Sequence, residues 1–374
     1  MNTVTSDLRR EERAIFELRE LYEQYGYKKY KMSKFEEYDL YLENKSFLPS
    51  SQVITFTDLN GKLLALKPDV TLSIAKNIPT CPAEPEKVYY NENVYRTPRG
   101  SHEYKEIMQV GLEYLGSIDL YAQCEVLSLA LRSLQKLSES CVMVLSDMGF
   151  ISGLLEYCAL PLALEERIVA CVEHKNAHEI KRLCAENGVD EELCQSIAAL
   201  TGLYGELDDT IRRARALVKN DKMASSLDRL TEIASVLSAE TDGSLRLDFS
   251  VINDLSYYNG LIFQGFIDGV PSAVLSGGRY DKLMERLGKN TSAMGFAVYV
   301  DQLERLGFEE RRYDVDVLLL YDEGADVSKL TAAVKMLTNN GQRVRVQSAL
   351  SEKLRFRQLL KLGERGLEIL ESND

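Results

Sequence analysis

Apolar residues recur at three- and four-residue spacing at Ile15, Leu18, Tyr22 and Tyr25, which predicts a helix over residues 8–25 stopped by Gly26. A strand-like stretch follows at 27–35. Residues 53–58 and 62–66 flank Asn60-Gly61, the strongest short hairpin signal a sequence offers. Pro68 opens a new element and 70–77 reads as a helix. Residues 87–96 and 106–115 alternate as two strands around a loop at 98–102. Leu120, Cys124, Leu127, Leu131 and Leu134 share one face of a helix over 119–138.

Between residues 147 and 240 the pattern changes to helical repeats rich in Ala, Leu and Glu, and an all-helical insertion is expected there. Alternation returns at Leu245, Leu247, Phe249 and Val251, then at 261–274 around an Asp268-Gly269 turn. Helices follow at 280–287 and 300–306. After Arg311-Arg312, a buried strand at 315–320, a helix at 327–339 and a strand at 343–347 imply a small α/β unit, closed by a charged helix over 350–371. The predicted fold is α+β: a first domain over 1–310 that carries the helical segment, and a second over 313–374.

Bulk properties narrow the function. The 374 residues are 45% hydrophobic and 28% charged, ordinary values for a soluble globular chain. Apolar runs such as 315–320 are far too short to span a bilayer, and the N-terminus lacks the regions of a secretory signal. Seven cysteines without a C-x-x-C pair fit free thiols in the cytoplasm, not a structural zinc site. His174 and His178, at i,i+4 spacing, read as a solvated helix face, and no metal or cofactor is expected. A net charge of −13 favours a protein partner or a small ligand over tRNA, whose phosphates demand many cations.

Candidate chemistry gathers in three separated segments. In a strand over 107–114, Gln109, Gly111 and Glu113 share a face opposite Met108, Val110, Leu112 and Tyr114. A polar pair flanking a glycine leaves open space lined by an amide and a carboxylate, suited to a small ligand with an amino group; from spacing alone, a strand with one solvated face is the favoured reading. Tyr257-Tyr258-Asn259-Gly260 fits core aromatics at a turn as well as a pocket wall. The glycine pair in Ser276-Gly277-Gly278-Arg279-Tyr280-Asp281 permits close backbone approach to a ligand or a tight turn.

Taken together and in order, these segments resemble the catalytic domain of histidyl-tRNA synthetases. Lys67-Pro68-Asp69-Val70-Thr71 is similar to the family's Arg-Pro-Glu-x-Thr element, whose carboxylate and hydroxyl hold the histidine amino group. Tyr95-Arg96 with Gln109-Val110-Gly111-x-Glu113 resembles class II motif 2, and Leu255-Ser256-Tyr257-Tyr258-Asn259 resembles the histidine-specific Leu-Asp-Tyr-Tyr element. Gly277 to Asp281 matches the strand-to-helix turn after it, and Gly295-Phe296-Ala297 the core of motif 3. The resemblance covers roughly residues 8–306. It implies a class II synthetase-like antiparallel sheet flanked by helices, and a histidine-type pocket of Asp69, Thr71, Arg96, Gln109, Glu113, Tyr257, Tyr258 and Tyr280.

Departures from the pattern point elsewhere. The family's histidine-element arginine falls at Asn253 and its motif 3 arginine at Gln302, while the motif 2 Phe-Arg-x-Glu-Arg reads Tyr95-Arg96-Thr97-Pro98-Arg99. The motif 1 proline is replaced near Met32-Ser33. Adenylate formation needs fixed cations on the phosphates, and losing one preorganised contact costs about 10²–10³-fold in rate. The pocket keeps ligand contacts and sheds phosphate contacts. Beside a synthetase's anticodon-binding domain the C-terminal unit is expected to be truncated, with its last strands absent.

These substitutions resemble the regulatory subunit of short-form ATP phosphoribosyltransferase. That resemblance implies no catalytic residues, a homodimer within a hetero-oligomer with the catalytic subunit, and participation in histidine feedback on the first step of histidine synthesis. A diverged synthetase and a noncatalytic tRNA-binding or stress-sensing module are the competing readings.

Overall fold

The computed structural model describes residues 9–44, 53–79, 84–97, 103–237, 243–252, 258–306, 312–350, 354–363 and 366–373. Residues 10–306 form one compact unit, and the residues from 312 onward belong to another.

The first unit opens with α1 (Arg10–Gln24), which turns Ala14, Leu18, Leu21 and Tyr22 inward and gives way at Gly26, where φ is 79°. β1 (Lys28–Lys29) and β2 (Phe35–Glu37) are the only strand residues in the stretch expected to be extended from 27 to 35. After α2 (Tyr38–Glu43) come β3 (Thr55–Thr57) and β4 (Leu63–Leu66), the expected hairpin. The Asp58 carboxylate accepts the N–H groups of Asn60 and Lys62, each at 2.8 Å, and Gly61 supplies a φ of 82°. β2, β4 and β3 form a small antiparallel sheet.

Next follow α3 (Thr71–Asn77), β5 (Glu86–Arg96), β6 (Lys105–Gly116), α4 (Leu120–Leu137) and β7 (Cys141–Asp147). Asp119 caps α4 by accepting the Ala122 N–H at 2.8 Å. Val126, Leu129 and Ala130 are buried as fully as the predicted apolar face, so α4 is enclosed on most sides. β7 had no counterpart in the sequence reading.

The segment expected to be all helical contains α5 (Met148–Cys158), α6 (Leu162–Glu173), α7 (Ala177–Glu186) and α8 (Glu191–Ala199), then a short strand, β8 (Tyr204–Glu206), then α9 (Leu207–Arg215) and α10 (Asp221–Leu237). β8 corrects the all-helical expectation: it joins the main sheet beside β9 (Leu245–Asp248). These helices share the sheet's own apolar core, with the Phe150 and Phe249 rings 4.6 Å apart. His174 ends α6 while His178 lies in α7, so the two exposed histidines do not share one helix face.

β10 (Leu261–Ile267), β11 (Leu275–Arg279), α11 (Asp281–Arg286) and β12 (Ser292–Tyr299) complete the unit, with a 3-10 turn over Val300–Leu306. Gly277-Gly278 therefore lies inside a strand, correcting the tight-turn alternative. The nine-stranded sheet runs β1-β5-β6-β12-β11-β10-β7-β9-β8. It is antiparallel except for the β1–β5 and β7–β9 pairs.

Register divides its faces. Tyr89, Leu112, Phe296, Gly277 and Phe263 align across five strands on the face that joins the core with α1 and α4. Val88, Glu113, Gly295 and Gly278 align on the other face, as do Tyr90, Gly111, Ala297 and Ser276. That second face meets a distinct core built from Leu40, Ala65, Leu72, Ile74, Tyr280 and Leu283.

The second unit holds β13 (Val315–Leu320), α12 (Val327–Asn339), β14 (Val344–Gln347), β15 (Phe356–Gly363) and β16 (Gly366–Ser372), with sheet order β14-β13-β15-β16. The closing helix expected over 350–371 is corrected by β15 and β16. β15 lies between β13 and β16, so Leu359 and Leu360 are buried on opposite faces. Consecutive leucines between charged residues hid the two-residue period.

Candidate functional site

Glu113 is the centre of the site. It stands on β6 with 1% of its surface exposed. The Thr71 hydroxyl, at the start of α3, donates to its Oε1 at 2.7 Å, and the Tyr280 hydroxyl, just before α11, donates to its Oε2 at 2.6 Å. Burial pushes its carboxyl up to about 8, against the pull of those two donors and with a further push from Asp69. A solvated strand face is excluded.

Half-buried Asp69 accepts the Leu72 N–H at 2.7 Å, closing the first turn of α3. Its carboxyl is raised chiefly by burial, partly offset by that N–H and by the positive charge of Arg96. Arg96 ends β5 and forms no ion pair among the described residues; its charge also acts on Tyr258 and Tyr299. Gln109 is buried, and its amide makes no hydrogen bond among the described residues. The strand register places Glu92, Gln109 and Tyr299 side by side on this face.

The glycines are already filled over. A Cβ at Gly111 would lie 2.5 Å from the Tyr90 hydroxyl, one at Gly278 would lie 2.7 Å from the Tyr258 ring, and one at Gly295 would collide with Glu113 Oε2. The open space expected over Gly111 is thus occupied by Tyr90. Burial raises the Tyr90 and Tyr258 hydroxyls well above the ordinary tyrosine range, keeping them neutral donors.

Asp69, Thr71, Glu113, Tyr258 and Tyr280 are thereby brought onto one side of the sheet, with Gln109 and Arg96 on its neighbouring strands. Tyr257 and Asn253 lie outside the described residues, as do Leu255, Ser256, Pro98 and Arg99. Gln302 is described: its amide nitrogen donates to Asp301 at 3.0 Å, and its oxygen accepts from Ser272 at 3.1 Å. That side chain is spent on its own turn. Tyr90, Glu92, Tyr299 and fully buried Lys67 were missed as pocket residues. The first three needed strand register to be seen, whereas an apolar neighbourhood around Lys67 was the one local hint.

Among the described residues there is no group of three or more Cys, His, Asp or Glu arranged to hold a metal ion, and no helix is long and apolar enough to cross a membrane. What the described residues bring together is a group of two carboxyls, an amide, a guanidinium and several neutral hydroxyls, a set whose chemistry complements a zwitterion with an extra N–H donor.

The family model for histidyl-tRNA synthetase matches residues 3–303. A curated relative from Oceanobacillus iheyensis, named ATP phosphoribosyltransferase regulatory subunit, is 26% identical over 93% of this chain and 87% of its own. Among solved structures, an ATP phosphoribosyltransferase regulatory subunit/histidyl-tRNA synthetase from Bacillus halodurans superposes with a TM-score of 0.79 at 21% identity, covering 94% of this chain and 93% of that one. A chain of the ATP phosphoribosyl transferase (HisG:HisZ) complex from Thermotoga maritima superposes with a TM-score of 0.61 at 19% identity, covering 76% and 96% respectively. Both structural matches share the fold. The chain belongs to the histidyl-tRNA synthetase family, and within that family it is similar to the ATP phosphoribosyltransferase regulatory subunits.

Proposed function

We propose that this chain is the noncatalytic regulatory subunit of an ATP phosphoribosyltransferase, acting in the cytoplasm as a homodimer within a complex with the short-form catalytic subunit. In this role it activates the first step of histidine synthesis and takes part in feedback by histidine. The observation that carries the reading is the contrast between the two halves of the site. The amino-acid side keeps Asp69, Thr71, Gln109, Glu113 and Tyr280, while the motif 3 arginine position holds a glutamine tied to Asp301 and Ser272. Relatives spanning most of the chain carry the regulatory-subunit name.

Histidine fits this group residue by residue: its ammonium against the carboxyls, its carboxylate against Arg96, and its imidazole against the amide and hydroxyls. With Asn253 and Gln302 at two of the family's arginine positions, ATP activation of the bound amino acid loses the electrostatic support those cations give.

Mixing the purified chain with a short-form catalytic subunit should produce a larger species on a sizing column and raise phosphoribosyltransferase activity. The chain alone should show no histidine-dependent exchange of pyrophosphate into ATP. Separate migration with unchanged activity, or a clear exchange signal, would overturn the reading.

A further inference from the structure

Glu113 joins three elements through its two oxygens: β6, which carries it, α3 through Thr71, and the start of α11 through Tyr280. The same two helices are joined again where Lys289, just beyond α11, donates to the Lys76 and Ile78 carbonyls at the end of α3. The groups facing Glu113 are Asp69 before α3, Tyr90 on β5, Tyr258 before β10 and Tyr280 before α11; Tyr27 also feels its charge. Lys67 is committed to Glu92, and Arg96 acts on Asp69, Tyr258 and Tyr299. Among the described residues the one charge acting on Glu113 is that of Asp69, another acid. Two carboxyls, one of them fully withdrawn from solvent, thus stand together, and among the described residues no cation is paired with Glu113.

We infer that an amino acid enters this site by exchange, its cationic N–H replacing a proton that Glu113 carries when the pocket is empty. The inference rests on the histidine reading above and adds a regulatory property to it. The 2.7 and 2.6 Å separations serve both protonation states: in the empty pocket the protonated carboxyl donates to one of the two hydroxyl oxygens and accepts from the other, reversing one of the two bonds that the carboxylate accepts. On binding, the proton passes to the solvent buffer, and the carboxylate accepts from the ligand cation while Thr71 and Tyr280 both donate to it. No electron moves and no covalent bond between heavy atoms changes. Occupancy is therefore linked to pH, and the latch between α3 and α11 changes its donor pattern when the ligand arrives.

Calorimetry of L-histidine binding to the full chain in phosphate and in Tris, whose ionisation heats differ, reads the protons released. At pH 7 the expected release is about 0.9 proton per histidine bound, and affinity should rise roughly fivefold from pH 7 to pH 8. Glu113→Gln should abolish the release and flatten the pH dependence. An infrared titration of the unliganded protein gives a readout without ligand: a protonated-carboxyl band at pH 6.5, absent from Glu113→Gln. Binding with no buffer dependence would overturn the exchange while leaving the histidine reading intact. No binding by the wild type would overturn both, and absence of the infrared band would overturn the exchange alone.

Discussion

Lys67 Nζ donates to Glu92 Oε2 at 2.9 Å with the lysine side chain wholly withdrawn from solvent and the glutamate nearly so. The pair ties the segment leading into the pocket to β5, and the Tyr95 N–H reinforces it by donating to the Lys67 carbonyl at 2.9 Å. A buried ion pair is weak evidence of net stabilisation, but removing one partner strands the other's charge.

Glu92→Leu should therefore cost on the order of 3–5 kcal/mol in urea unfolding, and Lys67→Met/Glu92→Leu should recover most of that loss. A single substitution costing under about 1 kcal/mol would show that water reaches the pair.

Gly295→Ala should be harmful out of proportion to one methyl group. Its Cβ would meet Glu113 Oε2 and the Leu112 backbone oxygen, and the backbone cannot yield without breaking the β6–β12 ladder. A loss of about 1–3 kcal/mol in thermal or urea unfolding is expected, with weakened histidine binding. Gly341→Ala is the comparison for a different cause: nothing stands within 4 Å, but its φ of 79° strains any side chain.

Glu113 also makes stability depend on pH. Its carboxyl titrates near 8 in the fold against an ordinary 4.5, so the folded chain binds more protons than the unfolded one between those values. The contribution of this group is full below 4.5 and lost as pH rises through 8. At about 1.4 kcal/mol per unit, its ceiling is on the order of 5 kcal/mol. Urea unfolding from pH 5 to 8.5 should show a fall in wild-type stability that Glu113→Gln reduces; parallel curves would mean the carboxyl is already ionised at neutral pH.

In the second unit, the Asp326 carboxylate accepts the N–H groups of Ser328 and Lys329 at 2.8 and 3.3 Å, capping α12. Asp326→Ala should cost about 1 kcal/mol, seen as faster hydrogen exchange in the first turn of α12.

Local chemistry was legible in the chain itself. The period of α1, the Asn60-Gly61 hairpin, the paired strands β5 and β6, and α12 each depend on residues a few positions apart, and each forms where the pattern places it. So does the grouping of Thr71 with Glu113, once the family motifs are set in order. Tertiary structure alone decided the rest. β7 and β12 acquire their identity from strands far away in sequence, and β15 is hidden because burial on both faces erases alternation. The glycines of the pocket read as open space, yet Tyr90 and Tyr258 arrive over them from other elements. Tyr280 reaches Glu113 across 167 positions. Sequence spacing carries torsional preference and side-chain period, which are local; the occupant of a given volume, and hence the charge state of a carboxyl within it, is set only when distant strands come into register.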